Sequence, residues 1–398
     1  MISVIKLDQR RFSFSSAVRE RARELRRAVA GAVAPAQPRR DTPAAQGALA
    51  ASQAEALAPL PWANPEPPAR GSEPQPTFYV ERPADTAALQ AIRGQGITLA
   101  ITGARQVGKT SLLARTTAEA CRYGKCVLTL DLQLFERTML ADTNSFFRAL
   151  CEVASAGLGV ESRVDAFWGN LGDTYNCTRY FEYLQGQLSA PLVLAFDKLE
   201  RLPDTALRAS FYSMLRAWCD SRATSPIWKQ FDLLLVTSLE IDQFTESAYQ
   251  SPFSAGLTIA LDDFTPEQVA DLNERHGRPF APQEFQALID LLAGHPYLIR
   301  QALYFASVGL HTPAEIIGTA AGDEGAFSDH LRYQLFKLSG QTRLLAELRQ
   351  ILGRGASLDA WAFEELRAAG LVRRDGERAV ARCRLYGAYF QKHLLAAA

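Results

Sequence analysis

Residues 97–110 read ITLAITGARQVGKT, an apolar run that leads directly into the pattern Gly-x-x-x-x-Gly-Lys-Thr. Glycine at Gly103 and Gly108 lets the backbone N–H groups between them, through Ala104, Arg105, Gln106 and Val107, wrap around an anion. A helix that starts near Lys109 presents its positive end to the same point. In such a loop Lys109 reaches the outer phosphates of a nucleotide, and Thr110, followed by Ser111, ligates magnesium. Strand, glycine-rich loop and helix must follow in that order. Leu112, Leu113, Thr116 and Ala120, on one side of a helical pattern over 109–123, complete it.

The loop carries a second requirement, a carboxylate at the end of a neighbouring strand that holds the metal's water shell. LVLAFD supplies it as five apolar residues ending in Asp197, and Leu130-Asp131 is a competing example. Distance downstream and the intervening helical material favour Asp197 as the Walker B residue. The next position is commonly Glu, which orients or deprotonates water, but here it is Lys198. Glu200 is the nearest substitute, either facing the site or forming a salt bridge on the next turn. A further core strand, FDLLLVT, ends in Thr237-Ser238, where hydroxyls sense a terminal phosphate or simply begin a turn.

Buried-strand patterns at 97–102, 127–130, 192–196, 233–237 and 257–261 alternate with helical ones at 144–156, 178–189 and 205–220. That alternation implies an α/β fold of the P-loop NTPase type, a mostly parallel sheet with helices on both faces. After Phe264 helical patterns take over at 266–275, 283–292, 297–306 and 312–319, with Pro or Gly at the joints. Two more, at 341–352 and 358–369, precede Asp375-Gly376 between two short strand patterns. This hairpin signal makes the end of the chain read as a winged-helix-like domain.

At 398 residues and 47% hydrophobic, the chain can build two or three folded units. No run approaches the roughly 20 apolar residues that cross a bilayer. Lys6, Asp8, Arg10 and Arg11 stand where a signal peptide is apolar, so a cytoplasmic location and no membrane contact are expected. Six cysteines without a CxxC pair read as reduced and structural. Net charge is zero, yet residues 1–41 hold ten basic side chains against four acidic ones. Residues 12–30 form a helical pattern with Val18, Ala22, Leu25 and Val29 on one side and arginine on the other, a solvated face or a docking element. Residues 31–76 hold ten of the twenty prolines and read as a flexible linker that buries no core.

Five stretches together resemble the signal-transducing STAND-type ATPases of the AAA+ superclass, in particular the bacterial AAA-like domain family. They are FYVERPAD (78–85), GARQVGKTSL, LVLAFD, SPFSAGLTIALDDFT (251–265) and AGHPYLIRQAL (293–303), over about residues 77–390. The resemblance implies ATP or ADP with Mg2+ as cofactors and sets Tyr79 to Arg82 and His295-Pro296 beside the adenine and ribose. By itself the Gly294-His295-Pro296 joint is a helix break whose proline offers a purine an apolar edge. The family usually has Asp-Glu where this chain has Asp197-Lys198, which implies a weak ATPase. The expected organisation is a basic docking segment (1–30), a linker (31–76), a P-loop ATPase domain (77–264), a helical lid subdomain (265–338) and a winged-helix-like domain (339–398).

Proteins of this kind act as regulatory switches or scaffolds in signalling or bacterial defence. The resemblance therefore implies a protein partner or effector subunit, engaged through residues 1–30, and leaves homo-oligomerisation open. Two alternatives remain at this level: a DNA-acting AAA+ ATPase that regulates transposition or replication, and a nucleotide-binding scaffold without turnover. Nucleic acid is the less favoured partner, because 358–369 carries Glu364 and Glu365 against only Arg367, although Arg373, Arg374, Arg378, Arg382 and Arg384 follow. Arg208, Arg216 and Arg222 are candidate arginine fingers or solvated side chains.

Overall fold

A computed structural model describes residues 76–203, 205–239, 252–357 and 359–395. The helix expected over 12–30 and the linker over 31–76, its last residue excepted, lie outside the described residues. The central sheet has five parallel strands, β1 (Thr98–Thr102), β2 (Cys126–Asp131), β3 (Leu192–Asp197), β4 (Phe231–Val236) and β5 (Leu257–Ala260), in the order β2-β3-β4-β1-β5. All five coincide with the apolar runs, because a parallel strand covered on both faces needs no polar alternation.

The pleat sorts these residues between two cores. Leu192, Leu194 and Phe196 of β3, with Leu233 and Leu235 of β4, enter an aromatic-rich cluster with Phe146, Phe181, Phe211 and Trp218. That face is covered by α3 (Thr143–Leu158), α4 (Val164–Phe167), α5 (Asp173–Gly186) and α6 (Ala206–Ser221). The alternate residues Val193, Ala195, Leu234 and Val236 join Leu99 and Ile101 against α1 (Pro83–Ile92) and α2 (Lys109–Arg122). The start of α5 falls five residues before the expected 178. Its polar first turn is held by Asp173, which accepts from Thr143 Oγ1 and Asn144 Nδ2 at 2.7 Å each, a contact that apolar periodicity does not reveal.

Beyond β5 come α7 (Pro266–Arg275), α8 (Pro282–Leu292), α9 (Pro296–Ser307), α10 (Pro313–Gly318), α11 (Ser328–Ser339), α12 (Thr342–Arg354) and α13 (Ala360–Ala368). An antiparallel pair, β6 (Val372–Asp375) and β7 (Arg378–Ala381), then leads into α14 (Arg384–Leu394). Each of α7 to α10 opens on proline, whose missing N–H costs nothing in a first turn. Helices α1, α4, α11 and α14 lie outside the helical patterns read from the sequence. One apolar cluster runs from Val269 to Leu394 and also takes in Phe78 and Val80, whereas α1, immediately after them, packs on the sheet. The segment 78–82 therefore bridges two cores. No described helix is long and apolar enough to cross a membrane.

Candidate nucleotide-binding site

Residues 103–108 link β1 to α2. Gly108 caps α2 at a φ of 104°, a left-handed angle that side chains rarely adopt, and a Cβ there would lie 2.9 Å from Arg82 Nη2. Gln106 is also left-handed, at 67°, which a non-glycine residue holds only when its surroundings enforce it. Lys109 Nζ folds beneath the loop and donates to the carbonyls of Gly103 and Ala104 at 2.7 and 2.8 Å. Burial lowers its pKa to about 8, opposed by the charges of Glu200 and Asp197. An ammonium so under-compensated is a ready partner for phosphate oxygens.

Strand β4 separates β1 from β3, so Asp197 stands roughly two strand spacings, about 9.6 Å, from the β1 axis. The first turn of α2 spans that gap. Thr110 Oγ1 donates to Asp197 Oδ2 at 3.0 Å, and Lys198 N donates to Asp197 Oδ1 at 2.9 Å. Burial raises the Asp197 carboxyl above the usual carboxylate range, offset in part by the Thr110 hydrogen bond and the Lys198 charge. A hydroxyl beside a buried carboxylate short of positive charge is an oxygen donor set that fits magnesium, which leaves further positions to phosphate and water. Thr110 and Asp197 would hold such an ion, and it would supply polarisation of the terminal phosphate.

Beyond Asp197 the chain turns sharply. Lys198 is left-handed, with φ 62° and ψ 45°, and its Nζ donates to Asp131 Oδ2 at 2.5 Å, not to Asp197. Glu200 accepts from Ser238 Oγ at 2.5 Å and from Ser238 N at 3.2 Å, and its charge acts on Lys109. Thr237 is fully buried, and its Oγ1 accepts from Leu239 N at 3.1 Å. The hydroxyl that reaches Glu200 is therefore that of Ser238, because neighbouring side chains at a strand end point to opposite sides.

Where the resemblance sets the adenine and ribose, Arg82 Nη1 donates to Val107 O at 3.0 Å and to Asp262 O at 3.2 Å, and its guanidinium lies 5.4 Å from the centre of the Phe264 ring. Gly294, at φ 75°, has no room for a Cβ, which would fall 2.1 Å from Phe264 O. Phe264 N donates to Gly294 O at 2.9 Å, so the joint bearing His295 and the buried Pro296 abuts the backbone of the residue whose ring Arg82 overlies. Tyr79 turns elsewhere. Its hydroxyl bonds Asp85, Arg115 covers its ring at 4.3 Å, and it lines a cleft of about 360 Å³ with Glu81, Glu267, Asp271 and Arg275.

Arg382 and Asp263 are site residues that sequence reasoning missed. In sequence Arg382 belongs to the basic hairpin, yet its side chain is 4% exposed and ion-paired with Asp263. Its Nη1 donates to Arg105 O at 3.2 Å, and Arg105 N donates to Ala368 O at 3.0 Å. The C-terminal region thus holds both the N–H and the C=O of one residue of the loop. No local pattern announces contacts between residues 277 positions apart. The candidate fingers are engaged within the chain: Arg208 is buried, Arg216 pairs with Asp220, and Arg222 donates to Thr98 Oγ1 and Ile97 O.

Residues 68–392 match the family model described as the AAA-like domain. No curated protein matches the chain. Among solved structures, a Walker-type ATPase of Pyrococcus abyssi is 14% identical with a TM-score of 0.53, over 80% of this chain and 98% of that one. At such identity the likeness is one of fold. A STAND protein with a tetratricopeptide repeat sensor from Pyrococcus horikoshii is 15% identical over 82% of this chain and 44% of its own, at a TM-score of 0.41. The Aeropyrum pernix ORC2 protein is 13% identical over 81% and 95%, at 0.43. With its phosphate loop, its five-stranded parallel sheet and a family match over most of its length, this chain has the P-loop ATPase fold of the AAA+ type and belongs to the AAA-like domain family.

Proposed function

We propose that this protein is a regulatory switch that binds ATP or ADP with magnesium between Gly103 and Ser111 and reports the bound nucleotide through its C-terminal region. The observation that carries this reading is the double hold on Arg105, by Ala368 O and by Arg382. A loop that wraps phosphate on one side and is gripped on the other links the two contacts energetically. Residues 77–264 then form the ATPase domain, 265–338 the lid and 339–398 a winged-helix-like reporter. Resemblance to STAND-type proteins supports a role in bacterial signalling or defence, in the cytoplasm, with a protein partner engaged through residues 1–30.

A DNA-acting role draws less support. Helix α13 presents Trp361, 58% exposed, with Glu364 and Glu365. In the hairpin, Arg373 pairs with Asp375 and Arg374 lies over Phe363, while Arg382 is buried. Hydrogen exchange of segments 366–372 and 379–382, measured with no nucleotide, with ADP and with a slowly hydrolysed ATP analogue, tests the switch. Protection that differs between the nucleotide states is expected. Identical exchange in all states despite saturating binding leaves a static scaffold, and absence of binding removes the nucleotide reading itself.

A further inference from the structure

We propose that Asp131 is a positioning residue that holds the Lys198 ammonium away from Asp197, so that the Asp197 carboxylate stays open to a divalent cation. The inference rests on the reading of Thr110 and Asp197 as the magnesium side of the site. Asp131 and Asp197 are register partners at the ends of the adjacent parallel strands β2 and β3, about 4.8 Å apart along the hydrogen-bonding direction. Lys198 directly follows Asp197. Unrestrained, an ammonium on the residue after Asp197 would find that carboxylate as its nearest anion and occupy the place of a metal ion.

Three observations show how the chain prevents this. Both oxygens of Asp131 are committed: Oδ1 accepts from Gln133 N at 2.9 Å, and Oδ2 takes Lys198 Nζ at 2.5 Å. Leu132, fully buried, anchors the turn that provides the first of these bonds. Asp131 is therefore the fixed partner, and the lysine moves to it. Lys198 adopts a left-handed backbone conformation that β-carbon sterics disfavour, and that geometry also brings its N–H onto Asp197 Oδ1. Asp197 receives two neutral donors, and the ammonium closest in sequence hydrogen-bonds Asp131 instead. The arrangement explains how a lysine is tolerated beside a metal-side aspartate.

The test compares ADP binding with magnesium and with EDTA by calorimetry on the full chain. Asp131→Asn keeps an oxygen for Gln133 N but loses the ion pair. It is expected to cut the affinity gained from magnesium roughly fivefold to tenfold while leaving affinity in EDTA unchanged. Lys198→Met introduced into Asp131→Asn is expected to restore the magnesium gain, since the competing ammonium is gone. Thermal midpoints of the nucleotide-free variants check that each folds. A wild-type magnesium gain in Asp131→Asn, or a double variant as impaired as the single one, overturns the positioning role alone. A wild-type protein whose ADP affinity ignores magnesium overturns the metal reading and the proposal with it.

Discussion

Arg382, on the turn after β7, forms an ion pair with Asp263, just after β5, and from the same guanidinium donates to the main-chain carbonyl of Arg105 in the phosphate loop. Arg382 is 4% exposed at its side chain and Asp263 26%, so the two ends of the pair are not equivalent. Removing the carboxylate strands a buried charge, whereas removing the arginine leaves an anion that water reaches.

The stability prediction follows from that asymmetry. Asp263→Ala is expected to destabilise the protein by about 3 kcal/mol and Arg382→Ala by about 1–2 kcal/mol, as read by chemical denaturation. Arg382→Ala should also speed hydrogen exchange at the Arg105 amide, which Ala368 covers in the intact protein. Equal costs for the two variants would mean that the guanidinium is better hydrated than its burial indicates.

A second prediction concerns pH. Lys109 in the free protein titrates at about 8, below its ordinary 10.5, because of burial, and nucleotide phosphates favour its charged form. Affinity for ADP should be constant below pH 8. It should then fall by up to about tenfold per unit as pH rises from 8 toward the pKa of the bound state. The nucleotide-free fold has the opposite sign. Between 8 and 10.5 the unfolded chain holds more protons than the folded one, so Lys109 adds stability as pH rises. Binding titrations from pH 7 to 9.5 check the first part, and flat affinity throughout would contradict it. Lys109→Ala is expected to lose nucleotide and keep its fold.

How much of this was legible beforehand depended on the range of each interaction. The phosphate loop and the five strands were readable because their constraints are local: a glycine at a left-handed position, and apolar runs bounded by turns. The same local logic places Asp197 at the end of β3. The outcome at Glu200 was undecided, since its partner Ser238 lies 38 residues away, and the pairing of Lys198 with Asp131 spans 67. Helix α14 is not legible locally, because Gly387 and the aromatic residues around it resemble the end of a hairpin and the burial of Tyr386, Tyr389 and Phe390 in one cluster depends on distant partners. Arg382 looked like a wing arginine because charge counts carry no information on which side of a hairpin faces inward.

Gly108 offers a third prediction. Alanine at φ 104° is strained by about 1–2 kcal/mol, and its Cβ meets Arg82 Nη2 at 2.9 Å. Gly108→Ala is expected to lower ADP affinity at least tenfold, because relief of either problem moves the N–H groups at the start of α2. Adding Arg82→Ala removes the collision and leaves the backbone strain, so affinity should recover only in part. Full recovery would assign the whole effect to Arg82.

The last prediction is that the isolated protein turns ATP over slowly and that Glu200 sustains whatever rate remains. Lys198 occupies the position after Asp197, and an ammonium bound to Asp131 accepts no proton from water. Glu200 is the carboxylate that faces Lys109, held by the Ser238 hydroxyl and N–H. Glu200→Gln keeps one oxygen for the Ser238 N–H, offers its amide as donor to the Ser238 hydroxyl and loses the basicity, so it should cut single-turnover hydrolysis about 100-fold or more while nucleotide affinity stays near that of the wild type. Ser238→Ala leaves the carboxylate chemically intact but loosely held, and should give a smaller loss through disorder in the base. Lys198→Glu places a carboxylate that Asp131 repels, turning it toward the phosphates, and should raise the rate. A wild-type rate of about 10 s⁻¹, typical of enzymes at large, that Glu200→Gln leaves unchanged would place the base elsewhere.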